Sequence, residues 1–113
     1  VAEQASTAEA KAYTKYLKLS AIELKATESF SGQTITEIEG KITNAGDRTV
    51  EYAAVLCIFY DWGNQEILRE KAPIVKKSLK PGETRAFRLP FDTVPNSWNT
   101  RLPQVVIAQL RLS

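Results

Sequence analysis

From Leu17 to Leu112 apolar and polar residues alternate with a period of two, which is the pattern of half-buried strands rather than helices. Leu17 and Leu19 share one phase, and Ile22 and Leu24 share the other, so a bulge is expected at Ser20–Ala21. Ile38, Gly40 and Ile42 alternate with Glu37, Glu39 and Lys41, and Phe87, Leu89 and Phe91 form another apolar row. Turn chemistry separates these runs: Phe30–Gln33, Asn44–Asp47, Trp62–Gln65 and Leu79–Gly82, the last with Pro and Gly in type II order. Strands are predicted over Thr34–Thr43, Thr49–Asp61, Glu66–Lys71, Thr84–Phe91 and Gln104–Leu112, after a first one from Leu17. Val94–Asn99 reads as irregular. Six or seven strands without a long amphipathic helix define an all-β, antiparallel β-sandwich over residues 17–113. Residues 1–16, Ala-rich and without Gly or Pro, read as a short N-terminal helix or tether.

A chain of 113 residues, 43% hydrophobic, is long enough to build such a core without staples. The absence of His excludes imidazole catalysis and imidazole-held metals. A single cysteine, Cys57, excludes an internal disulfide and a Cys-based zinc site. It lies mid-strand with no adjacent cation, as a buried and inert thiol would. With no Met anywhere, the chain is expected to have lost an N-terminal segment and any targeting signal in it. No cofactor or metal is expected. Asp47, Asp61 and Asp92 sit beside turns, but no calcium-loop spacing joins them, and turn capping is the simpler role. Glu37 and Glu39 share a strand face in the manner of solvated acids, not of a catalytic pair, and no enzyme activity is expected.

Charge is uneven. Residues 1–68 hold 6 basic and 10 acidic groups, whereas residues 69–88 carry seven lysines and arginines against Glu70 and Glu83. The net charge of +2 and the lack of interleaved aromatics in the basic stretch argue against nucleic acid. That stretch is read as solvated, with anionic lipid headgroups or a phosphate-bearing polymer as the functional alternative.

The third predicted strand is unusual. Ala53, Val55, Cys57 and Phe59 make one apolar face, and Tyr52, Ala54, Leu56, Ile58 and Tyr60 make a second. A two-layer sandwich needs only one. Either residues 1–16 cover the second face, or a protein partner or second copy does, which singles out Tyr52, Leu56, Ile58 and Tyr60 as a partner-binding set. Trp62, in a turn, and Tyr60 form an alternative glycan-binding pair, because exposed aromatic rings stack on sugars. Trp98, beside Pro95, is expected to plug one end of the sandwich.

Three motifs in order resemble one family. Gly40-Lys41-Ile42-Thr43-Asn44-Ala45-Gly46 is similar to a G-x-V-x-N-x-G strand and turn. Cys57-Ile58-Phe59-Tyr60-Asp61 stands where an F-x-L-Y-D motif would, with Tyr and Asp kept and with Cys57 and Phe59 replacing Phe and Leu. Leu79-Lys80-Pro81-Gly82-Glu83 matches an L-x-P-G-E turn before an aromatic strand. Over residues 35–91 the chain thus resembles the FxLYD domains, small bacterial immunoglobulin-like modules. The resemblance implies an immunoglobulin-like sandwich, an extracytoplasmic place in the cell envelope, membrane tethering through an N-terminal segment, and no catalytic residues. The expected role is an interaction or structural one, through a protein partner or a homodimer. The motif residues read as architecture: Gly40 admits a bulky neighbour, Asn44 bonds its own turn, and Asp61 caps the following one.

Overall fold

The computed structural model describes residues 3–4, 8–28, 34–91 and 94–112. The expected turn at Phe30–Gln33, and Asp92, lie outside them. The elements in chain order are β1 (Glu3–Gln4), α1 (Ala8–Thr14), β2 (Leu17–Glu28), β3 (Thr34–Asn44), β4 (Val50–Tyr60), β5 (Glu66–Val75), β6 (Thr84–Phe91) and β7 (Gln104–Leu112). They form two antiparallel sheets, one ordered β1-β7-β4-β5 and the other β2-β3-β6. The chain is an all-β sandwich, as the alternation requires.

The core lies between the sheets. Ile38, Ile42, Phe87, Leu89 and Phe91 from the three-stranded sheet meet Val50, Ala53, Val55, Cys57, Phe59, Val75 and Leu110 from the other. Phe59 is its aromatic centre, edge-on to Phe91 at 5.1 Å and to Trp98 at 5.5 Å between centroids. Trp98 does plug the end of the sandwich: its Nε1–H donates to the Arg101 carbonyl at 3.1 Å, and its backbone bridges Asp61.

The bulge in β2 falls where the phase shift puts it. Pairing with β3 jumps between Ser20 and Glu23, and Ala21 takes a positive φ of 52°. The jump turns Ile22 over Gly40. A Cβ on Gly40 would meet Ile22 Cδ1 at 2.6 Å and Phe87 Cζ at 2.8 Å, so the glycine is required by that approach. The turn before β6 is closed by Glu83 N–H donating to the Lys80 carbonyl, with Gly82 at φ 82°. Pro81 and Gly82 hold its two central positions, as a type II turn demands.

Two elements differ from expectation. β5 runs on through Pro73 to Val75, although a proline normally argues against a strand. It is an edge strand, which has no ladder donor to lose on its free side, and it shifts register at Pro73–Val75. Residues 3–4 pair with Gln109 and Leu110 as β1, too short a strand to leave any alternation in the sequence.

Candidate functional site

Asn44 organises one end of the molecule. It is fully buried, and its side chain makes four hydrogen bonds. Its Oδ1 accepts from Tyr13 Oη–H at 2.7 Å and from Gly46 N–H at 3.2 Å. Its Nδ2 donates to the carbonyls of Arg48 at 2.7 Å and Leu79 at 3.0 Å. Tyr13 Oη also accepts from Arg48 N–H at 3.0 Å. Segment 8–16 is therefore fastened to the sandwich by Tyr13, whose ring is buried in the core and leaves no room for a Cβ at Gly46. The turn role expected of Asn44 is present, and the long-range part of its network is additional.

At the other end, Asp61 closes the β4–β5 hairpin. One carboxylate oxygen accepts from Gly63 N–H and Gln65 N–H, both at 2.9 Å, and Asn64 takes φ 61°. This stiff turn holds Trp62 out into solvent at 72% exposure. Tyr60, half-buried beside it, donates its hydroxyl to Gln104 Oε1 at 2.8 Å. The hairpin thus brings Tyr60 and Trp62 to the same end.

The second face of β4 is on the outside of its sheet. Cross-strand register sets Leu56 between Lys71 and Val106, Ile58 between Arg69 and Gln104, and Ala54 between Pro73 and Gln109. Ala54 and Ile58 are buried among these neighbours, whereas Tyr52 and Leu56 are half-buried and Val106 is 37% exposed. The aliphatic stems of Arg69 and Lys71 are placed to cover part of the face. Helix α1 packs against β7 and makes no comparable contact with β4 or β5 among the described residues. An apolar strip of Leu56, Ile58 and Val106 runs down the middle of this face, between Tyr52 and Tyr60. Alternation alone does not mark Val106, because only pairing with Leu56 of β4 brings it into the strip.

The carboxylates are engaged with cations. Both Glu37 carboxylate oxygens accept from Arg88 Nη2 at 2.9 Å, and Glu39 meets Lys25 at 2.8 Å and Arg88 Nε at 3.3 Å. The Lys25 hydrogen bond holds Glu39 below the ordinary carboxylate range. A general acid for glycoside cleavage needs the opposite shift. The face is more screened than alternation alone implies, with the Glu37 side chain 16% exposed. Cys57 is buried, and desolvation, with the Glu70 charge, pushes its thiol up to about 11. Among the described residues no group of three or more His, Cys, Asp or Glu is placed to hold a metal ion, and no helix is long and apolar enough to cross a membrane.

The basic stretch is spread around the β5–β6 connection. Arg85 donates to the carbonyls of Lys77 at 2.6 Å and Ser78 at 2.8 Å and pairs with Glu83 at 3.0 Å, so it pins the loop. Beside it, Pro73, Ile74 and Phe87 floor an open groove of about 350 Å³ that Lys76, Lys77, Arg85 and Arg88 border. Two smaller clefts border Trp98.

Among the described residues, the fold is a small sandwich of two antiparallel β-sheets. The family model described as "Protein of unknown function (DUF2393)" matches residues 3–108, and the chain belongs to that family. Neither the curated proteins nor the solved structures contain a match to it.

Proposed function

We propose that the protein is a non-enzymatic interaction module of the bacterial cell envelope, held extracytoplasmically by a membrane tether N-terminal to the domain. It presents the outer face of β4 to a protein partner. The observation that carries the reading is the apolar strip of Leu56, Ile58 and Val106 on an outer sheet face, flanked by Tyr52 and Tyr60. Such a strip gives a contact its water-free centre, and the tyrosines supply area with little conformational entropy to lose. The strand connectivity supports the finer FxLYD-like, immunoglobulin-like assignment. Taking β2 to β7 in turn as strands A, B, C, C′, E and F gives A-B-E and C′-C-F neighbours, the order expected of such a fold, with β1 at the edge beside F. A tether entering before β1, which pairs with Leu110 and Gln109 toward the Val50–Leu112 end of its sheet, leaves the Tyr60–Trp62 end facing away from the membrane.

The test is a crosslinkable residue at Tyr52 or Tyr60, compared with one at Lys18, in envelope preparations, together with light scattering of the purified chain. A specific adduct at the tyrosines, lost in Val106→Glu, is the expected result. A dimer in solution that Val106→Glu dissociates would identify a second copy as the partner. A strictly monomeric chain with no adduct at either tyrosine overturns the reading.

The exposed, rigidly held Trp62 favours one second reading, a cell-wall glycan module with Trp62 and Tyr60 as the stacking pair. Quenching of Trp62 fluorescence by peptidoglycan fragments, absent in Trp62→Ala, is its expected signature. Unchanged fluorescence would remove it.

A further inference from the structure

The Asn44 network gathers three segments at one end of the sandwich. Ala45 N–H donates to the Tyr16 carbonyl, Gly82 N–H donates to the Asn44 carbonyl, and Val50 pairs with Leu79. Residues 11–18, 44–50 and 76–85 together carry eight lysines and arginines against only Asp47 and Glu83, a net +6 in a chain whose total is +2. The rest of the chain is therefore net −4, and one of its carboxylates, Glu51, reaches the same end by accepting from Ser78 Oγ–H at 2.6 Å, which leaves that end strongly cationic. The sequence hid this, because its basic run at residues 69–88 is only one of the contributors.

These cations differ in what they do. The Arg85 guanidinium is consumed in shaping its loop. The Lys76, Lys77 and Lys80 side chains are exposed and make no ion pair or hydrogen bond among the described residues. Tyr16, 40% exposed, stands at the same end with Lys15 5.1 Å from its ring centroid. The apolar-floored groove of Pro73, Ile74 and Phe87 opens beside Lys76 and Lys77.

We propose that this end of the sandwich docks on the surface of an anionic lipid bilayer. Free ammonium groups on short, pinned loops gain most from a polyanion. An exposed tyrosine and a shallow apolar groove suit the boundary between headgroups and acyl chains. The cations are spread over three segments around an end of a body measuring 43 × 30 × 24 Å, instead of lining one channel. That distribution matches a planar charged surface and not an extended acidic peptide. The proposal stands without the tether invoked above, since the isolated domain carries the whole surface.

The experiment is flotation of the purified chain with phosphatidylcholine vesicles, with and without phosphatidylglycerol. Binding is expected only to the doped vesicles and should fall steeply as salt rises. Each neutralised lysine should weaken partition about five-fold, so the triple variant Lys76→Gln, Lys77→Gln, Lys80→Gln should lose roughly a hundred-fold. Its melting temperature should stay near wild type, because these exposed side chains make no ion pair or hydrogen bond among the described residues. Trp62→Ala, at the opposite end, should float as wild type does. Equal binding to neutral vesicles, an unaffected triple variant, or loss of binding in Trp62→Ala overturns the proposal. So does displacement by polyglutamate or inorganic phosphate as effective as displacement by anionic lipid, which would assign the cations to a soluble anion.

Discussion

Asn44→Ala should be among the most damaging single changes in this chain. The substitution deletes four hydrogen bonds from a site with no solvent access. The partners are not all orphaned. The Leu79 carbonyl keeps Val50 N–H at 3.0 Å, and the single Tyr13 hydroxyl proton, no longer given to Asn44, turns to the Arg48 carbonyl 2.8 Å away. Three bonds of about 1 kcal/mol each are then lost outright, and the part-buried Gly46 N–H loses its acceptor, which brings the total to roughly 3–4 kcal/mol. That is a large share of the roughly 5–15 kcal/mol available to a domain of this kind. With an unfolding entropy near 2.1 cal/mol/K per residue, the melting temperature should drop by roughly 15 °C. Circular dichroism melts and urea titrations measure it. Asn44→Asp sharpens the test, because it keeps the acceptor for Tyr13 and Gly46 but aims a second oxygen at two carbonyls. The introduced carboxylate is stabilised in its neutral form by folding, so its folded-state pKa lies above its unfolded one. Stability should then be higher at low pH and decline as pH rises through the folded value. An Asn44→Ala protein that melts within about 4 °C of wild type, roughly 1 kcal/mol, would refute the reasoning.

Two further changes test other parts of the fold. Gly40→Ala should destabilise by about 1–3 kcal/mol through its clash with Ile22 and Phe87, and Ile22→Ala in the same chain should restore part of that in thermal melts. Native Cys57 should resist a thiol reagent that labels the urea-unfolded chain at once. Its unfolded thiol ionises near 9 and its folded one near 11, so unfolding releases a proton between those values and stability falls across that interval. A Cys57→Ala chain whose stability falls as steeply over the same pH range would contradict this.

Much of the sandwich was legible in the sequence because its causes are local. The phase shift at Ser20–Ala21 encodes the bulge, Pro81–Gly82 the turn, and Asp61 the hairpin cap, each within a few residues of its effect. What alternation cannot show is which strands become neighbours. Tyr13 looks like one more residue of an Ala-rich lead-in until Asn44, 31 positions later, supplies its acceptor. Val106 looks like any apolar residue of the last strand until β4 pairs it with Leu56. The same holds for charge. A basic run can be counted along the chain, but the cationic end of the molecule is a product of topology.

The Asn44 network also has a meaning for the order in which the protein acquires its structure. Tyr13 needs Asn44, Asn44 needs Leu79, 35 residues further on, and β4 lacks one of its two sheet neighbours until β7, ending at Leu112, is in place. Contacts so far apart along the chain close slowly and nearly together. Within this domain the α1 segment, although made before the strands that hold it, is therefore among the last parts to find its place. Strand β4, apolar on both faces, waits through that interval with only β5 beside it, and a chain stalled before Gln104 leaves the β7-side edge of that apolar strand open to aggregation.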